Sequence, residues 1–221
     1  MINGPRIYAE VFGIPITATM VNMWIIMAGI TLLCMFLTRN LKRVPGKPQV
    51  IAEMIVTGIN NLTESTMGKQ NMGFAPYMLT LFMYLGVANL VGLVGMRPPT
   101  ADLTMTFALS LLTFFMTQFF ALKAKGIGGY LKGYLEPIPL LLPINIIGEL
   151  ANPISLSFRL FGNMLGGLII MGLIYGGLTS LMHFAIAIPI VAHLYFDLFA
   201  GLLQSFIFVM LSMVFISMAM E

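Results

Sequence analysis

Two apolar stretches near the C-terminal end dominate this sequence. They run from Ile144 to Leu178 and from Ser180 to Met220, and each is interrupted by a single proline, Pro153 and Pro189. At about 1.5 Å rise per residue, each would run roughly 50–60 Å as one helix, against a hydrocarbon core of about 30 Å. Each stretch must therefore fold back on itself or lie strongly tilted, beyond the usual range of about 0–40°. A helix lying that flat needs a partner to lie against. Three further apolar runs, 17–38, 74–95 and 103–122, have the length of upright spans, which take about 20 residues each. Only 9% of the 221 residues are charged and 59% are hydrophobic, where a soluble domain carries about 25% and about 45–50%. Eleven basic and eight acidic side chains cannot cover a soluble core of this size. A soluble enzyme, a nucleic-acid binder and a disordered chain are excluded, and the runs are too continuous for the short alternating strands of a membrane barrel. The chain is expected to be an all-α polytopic membrane protein forming a single membrane domain over 1–221. Residues 1–143 supply three upright spans and interfacial segments, and 144–221 a long, strongly tilted two-helix hairpin.

The basic residues set an orientation. Arg39, Lys42, Arg43 and Lys47 follow the first span, and Lys123, Lys125 and Lys132 follow the third. The outer loop holds one arginine, in Arg97-Pro98-Pro99, before Asp102 opens the third span. The positive-inside rule then places the N-terminus outside and the C-terminus in the cytoplasm. Gln49 to Thr66 carries Ile51, Ile55, Ile59 and Leu62 at helical spacing among polar residues, the pattern of an amphipathic helix at the interface. Gly126 to Pro143, with Glu136, reads as a bent connector. Met1 to Gly13 lacks the form of a cleaved signal peptide. Cys34 is the only cysteine, so neither a disulfide nor a thiolate metal site is expected. No cofactor or metal is implied.

Charged groups in hydrocarbon cost at least about 2.5–3.5 kcal/mol each and are functional candidates by default. Arg159, in Pro-Ile-Ser-Leu-Ser-Phe-Arg-Leu-Phe-Gly-Asn, lies deep inside its apolar stretch, and arginine stays protonated there. It is either a fixed functional charge or half of a structural ion pair with Glu149 or Asp197. Asn152, Ser155, Arg159, Asn163 and Gly166 recur at intervals of three or four and share one helix face. His193, Asp197, Gly201, Gln204 and Phe208 form a second such stripe. Two facing polar stripes suit an ion-conducting path, whereas Ser155 and Asn163 alone would read as interhelical packing contacts. His193 is a proton relay or an interfacial side chain, and His183 a solvated loop residue. Asn89, mid-span, lines a channel or bonds another helix. No phosphate-binding loop, His-Glu-x-x-His or Gly-x-Ser-x-Gly motif is present, so nucleotide binding and intramembrane hydrolysis lack support.

The run Pro153-Ile-Ser-Leu-Ser-Phe-Arg-Leu-Phe-Gly-Asn163 closely resembles subunit a of F-type ATP synthases, and the segment from Gln204 to Ala219 is similar to that family's last helix. The similarity spans most of the chain. The resemblance implies a hairpin hugging a ring of c-subunits. It implies two half-channels that load and unload the c-subunit carboxylates with H⁺ or Na⁺, and an essential arginine, here Arg159, that separates them. Asn163 would line the channel, Gln204 would face the arginine, Ser155 would stand beside it, and Asn89 would line the outer half-channel. Asp197 falls where relatives carry His or Glu, making it the ionisable relay. The implied partners are the c-ring, peripheral-stalk b subunits and the lipid of a bacterial plasma membrane, with no catalytic activity on this chain alone.

Two positions depart from the family pattern. An acidic or histidine residue often lies nine positions after the arginine, where this chain has Leu168. An acidic residue often follows the second-span asparagine by three, where it has Gly92. A long proton relay is less richly supplied here, which leaves Na⁺ open. The rival expectation is a free-standing channel or secondary transporter subunit gated by Arg159 and Asp197, although no internal repeat of the kind transporters show is visible.

Overall fold

A computed structural model describes residues 7–11, 13–39, 41–135, 139–178 and 187–220. Glu136 and His183 lie outside the described residues. A short antiparallel ribbon, β1 (Ile7–Val11) and β2 (Ile14–Thr17), opens the described chain. The sequence reading had no strand there. The ribbon leads directly into α1 (Ala18–Thr38), whose first turn is capped by the Thr17 hydroxyl accepting from the Met20 amide. The remaining helices are α2 (Lys47–Met67), α3 (Ala75–Leu90), α4 (Leu103–Leu135), α5 (Leu142–Leu178), α6 (Ala187–His193) and α7 (Gly201–Met220). Among the described residues, five helical segments are long and apolar enough to cross a membrane, beginning at Ala18, Lys69, Leu103, Pro139 and Pro189. The protein is an all-α, multi-spanning membrane protein.

Local chemistry explains the boundaries. Pro48 in the first turn of α2 needs no hydrogen-bond donor there, and Gly68 ends that helix at φ +80°. Asp102 opens α4 by accepting from the Thr104 amide and also takes the Thr19 hydroxyl of α1. The third span and the bent connector expected after it are one element with a break. Helix continues to Leu135, but Gly126 takes φ +68° and ψ 169°, a region open essentially to glycine alone. Without that break, Tyr130 would stand roughly 18 Å along the axis from Gln118 at about 1.5 Å per residue. With it, the Tyr130 hydroxyl donates to Gln118 Oε1.

Large apolar side chains are exposed while several hydroxyl side chains are buried. Trp24, Phe36, Phe115, Phe119, Phe158 and Phe199 are exposed, while Thr63, Thr106, Thr113, Ser157, Ser205 and Ser212 are buried. In lipid, apolar exposure costs nothing, and helices associate through close packing and interhelical hydrogen bonds instead. Thr106 meets Ser157 at 3.2 Å, joining α4 to α5, and Thr113 meets Ser212 at 3.3 Å, joining α4 to α7. Such contacts contribute about 0.6 kcal/mol each. Leu156 and Leu160 of α5 join Met78, Leu81 and Leu85 of α3, and Phe208, Val209 and Met213 of α7, in the apolar core. α5 therefore turns its leucine face inward.

Candidate functional site

Because Leu156, Leu160 and Met164 occupy the buried face of α5, the polar stripe predicted on that helix points outward. Asn152, Ser155, Arg159 and Asn163 are all exposed. Among the described residues, Arg159 has no ion pair and no hydrogen bond. Neither carboxylate considered for it is available. Glu149 Oε2 accepts from Gln118 Nε2 at 2.6 Å and from the Tyr134 hydroxyl, and Asp197 pairs with His193.

From Asp197 onward the second stripe is buried. Gly201, Gln204 and Phe208 pack inward, and Asp197 is 8% exposed. One side-chain hydrogen bond joins the stripes: Asn163 Nδ2 donates to Gln204 Oε1 at 2.6 Å, while the buried Gln204 Nε2 has no protein partner among the described residues. Further contacts define an antiparallel register. A Cβ on Gly167 would lie 3.6 Å from Phe196, and the Tyr175 hydroxyl sits 2.8 Å from His193 Nε2. Arg159 precedes Asn163 by four residues and Asp197 precedes Gln204 by seven. In antiparallel helices these offsets run in opposite directions and add, displacing the two charges by roughly 16 Å along the axis at about 1.5 Å per residue. The structure does not bring Arg159 and Asp197 together.

Asp197 is held by its surroundings. It sits inside a π-helical turn, Leu194–Ala200, a distortion that recurs at functional sites. His193 Nδ1 lies 2.5 Å from its Oδ2. On the other side, a Cβ added to Gly92 would stand 3.0 Å from both Asp197 Cγ and Oδ1. The glycine noted as a departure is therefore the space in which the Asp197 carboxylate lies. Asn89, one turn earlier on α3, is fully buried. Its Nδ2 donates to the Gly201 carbonyl at 3.0 Å and to Ser205 Oγ at 2.9 Å, and its Oδ1 accepts from Thr100 at 2.6 Å. Of the two readings of Asn89, the structure displays the bond to another helix. Gly201 permits it, since a Cβ there would approach Asn89 Cβ to 3.2 Å.

A cavity of about 740 Å³ opens between α4, α5 and α7, lined by Gln118, Tyr130, Tyr134, Glu149, Asn152 and Ser110 among others. The sequence reading did not single it out as a site. Glu149 was visible as an intramembrane carboxylate, but nothing in the sequence indicated that the Gly126 break would fold two tyrosines back onto it. No group of three or more His, Cys, Asp or Glu that could hold a metal ion is found among the described residues.

Residues 20–217 match the family model described as ATP synthase A chain. The chain belongs to that family. It is 36% identical to the sodium ion specific ATP synthase subunit a of Propionigenium modestum, over 93% of this chain and 75% of the relative. It is 36% identical to ATP synthase subunit a of Bacillus subtilis, over 94% of each, and 34% identical to that of Moorella thermoacetica, over 92% and 91%. The chain is thus a non-catalytic, ion-translocating stator component that couples H⁺ or Na⁺ flow to rotation in an ATP synthase. Membership also decides against a free-standing transporter.

Proposed function

We propose that Arg159 is the fixed charge against which the ion-binding carboxylates of a c-ring discharge. The observation that carries this is its placement. A guanidinium deep in an apolar helix is exposed on the outer face of α5, with no carboxylate partner among the described residues. A cation so placed is costly in lipid unless an anion from another chain meets it. An ion-loaded c-subunit carboxylate is neutral and tolerates lipid, whereas an emptied one is anionic and is attracted to Arg159. The arginine thereby favours release and blocks a direct leak between the two half-channels. A membrane potential adds about 2.3 kcal/mol per charge per 100 mV, which biases the direction of rotation.

In this reading Ser155 and Asn163 line the same outward face, and Asn163 positions Gln204 beneath it. Asp197, with His193 and Asn89 nearby, belongs to the outer half-channel. The cavity at Glu149 is the inner half-channel, since α4 carries Lys125 and Lys132 at that end. The N-terminus lies outside and the C-terminus in the cytoplasm of a bacterial plasma membrane. α5 and α6–α7 lie strongly tilted against the ring, and the b subunits hold the peripheral spans. The decisive experiment is Arg159→Ala in membrane vesicles carrying the whole synthase. Ion-driven ATP synthesis is expected to vanish with the complex still assembled, and synthesis persisting at wild-type rate would reject the proposal.

A further inference from the structure

We infer that the segment from Arg39 to Met54, where α1 hands over to α2, docks an anionic phospholipid of the surrounding bilayer. Charge is the first observation. Residues 39–54 hold four cations, Arg39, Lys42, Arg43 and Lys47, and one carboxylate, Glu53. Their net of +3 equals that of the whole chain. The other seven basic residues are matched in number by seven acidic ones, so the excess charge of the protein resides in this one segment. All four cations are exposed, and none has an ion pair among the described residues. Glu53 accepts instead from Gln49 Nε2 at 2.7 Å.

The segment is also clamped. Gln49 is buried; its Oε1 accepts from the Lys42 amide and its Nε2 donates to the Lys42 carbonyl, both at 3.0 Å. Holding both backbone groups of Lys42 sets the path of the chain between the two helices and, with it, the place of Lys42 and Arg43. Apolar side chains are interleaved with the cations. Leu41 is 64% and Val44 84% exposed, and Val50, Ile51 and Met54 extend the exposed apolar surface along the first turns of α2. The first buried apolar side chain of that helix is Ile59. A phospholipid at the membrane boundary meets both needs of such a surface. Its phosphate oxygens take charge-assisted hydrogen bonds from guanidinium and ammonium groups, and its acyl chains cover Leu41, Val44, Ile51 and Met54. A zwitterionic headgroup carries a cation of its own and gains little from four more, whereas an anionic one is drawn in by each basic side chain near the bilayer surface. The positive-inside rule asks only for charge at this end of α1; it requires neither the Gln49 clamp nor the interleaved apolar groups.

The test uses the whole synthase in phosphatidylcholine liposomes that carry a trace of photoactivatable phosphatidylglycerol or of photoactivatable phosphatidylcholine with the same acyl chains. After illumination, lipid adducts on peptides covering 39–54 are measured by mass spectrometry, and native gels confirm assembly. Each basic side chain near an anionic headgroup is worth about fivefold in occupancy. Wild type, at a net of +3, is expected to take the anionic lipid about a hundredfold over the zwitterionic one. Lys42→Gln/Arg43→Gln removes two of those charges and should keep only about fivefold, while the charge-keeping Lys42→Arg/Arg43→Lys should keep about a hundredfold. Raising the salt from about 0.1 M to about 1 M shortens the screening length from about 10 Å to about 3 Å. It should cut the wild-type preference by about tenfold or more without any substitution. Equal labelling by the two lipids in wild type would overturn the proposal, as would a preference that survives the glutamine pair or high salt. Carbodiimide cross-links from Lys42 to a carboxylate of another subunit, in place of lipid adducts, would also overturn it by making the segment a protein contact. Arg159→Ala should abolish ATP synthesis and leave the lipid preference intact, which separates this surface from the role given to the arginine; a preference lost in that variant would count against a site built from residues 39–54.

Discussion

Moving the Asp197 carboxylate across the helix interface tests the outer site directly. An added Cβ on Gly92 would lie 3.0 Å from Asp197 Cγ. A carboxylate carried by residue 92 would therefore reach nearly the same position from the opposite helix, which is where relatives of this family often hold their acidic group. Asp197→Gly alone removes the carboxylate and strands His193, a loss of a charge-assisted hydrogen bond of about 1.5–3 kcal/mol. That corresponds to about 10–150-fold at about 1.4 kcal/mol per decade. Gly92→Asp alone forces two carboxylates into one space. At about 4 Å and an effective dielectric near 20, their repulsion is about 4 kcal/mol, to which steric displacement adds about 1–3 kcal/mol. Each single variant should conduct at least about tenfold more slowly than wild type. The double variant Gly92→Asp/Asp197→Gly relieves both faults and should recover to within about tenfold of wild type. Passive ion conductance of membranes stripped of the catalytic sector measures this, with native gels confirming assembly. An assembled double variant no faster than Asp197→Gly would refute the account of Gly92 as space reserved for the carboxylate.

Other outcomes follow from single contacts. Asn163→Leu leaves both ends of the buried Gln204 amide without a protein partner among the described residues. It should destabilise the complex by about 1–3 kcal/mol, and a double-mutant cycle with Gln204→Leu should recover part of that on thermal unfolding in detergent. Gly126→Ala should cost about 1–3 kcal/mol because its φ of +68° suits glycine alone, and it should separate Tyr130 from Gln118, read as a lower melting temperature and slower ion release. Lys125→Cys in a Cys34→Ser background should react with a membrane-impermeant maleimide in inside-out vesicles and stay unreactive in intact cells; the reverse pattern would invert the proposed orientation.

Much of the framework was legible because the membrane imposes simple rules. The start of the first span, the opening of α4 at Asp102 and the break at Arg97-Pro98-Pro99 all follow from apolar length, capping and turn chemistry. Arg159 stood out because charge is scarce. The N-terminal ribbon was missed because its few alternating residues carry little signal beside a long apolar run. The cavity at Glu149 was missed because it depends on how far one glycine bends α4. Asn89 shows the same limit: only the placement of Gly201, Ser205 and Thr100 reveals which groups its amide bonds.

The sequence alone determined that the chain lives in lipid, which stretches form its apolar helices, and that one guanidinium is held inside one of them. These properties depend on local composition and on the cost of placing polar groups in hydrocarbon, so they need no knowledge of neighbours. Which charges meet was decided by the tertiary structure. Packing of Leu156 and Leu160 against α3 and α7 turned Arg159 outward. The Asn163–Gln204 bond fixed the register that separates it from Asp197, and the missing side chain at Gly92 gave Asp197 its place. Helical periodicity assigns a residue to a face, but the rotation and sliding of one helix against another follow from the shapes of both surfaces. A sequence carries those shapes only once the helices are packed.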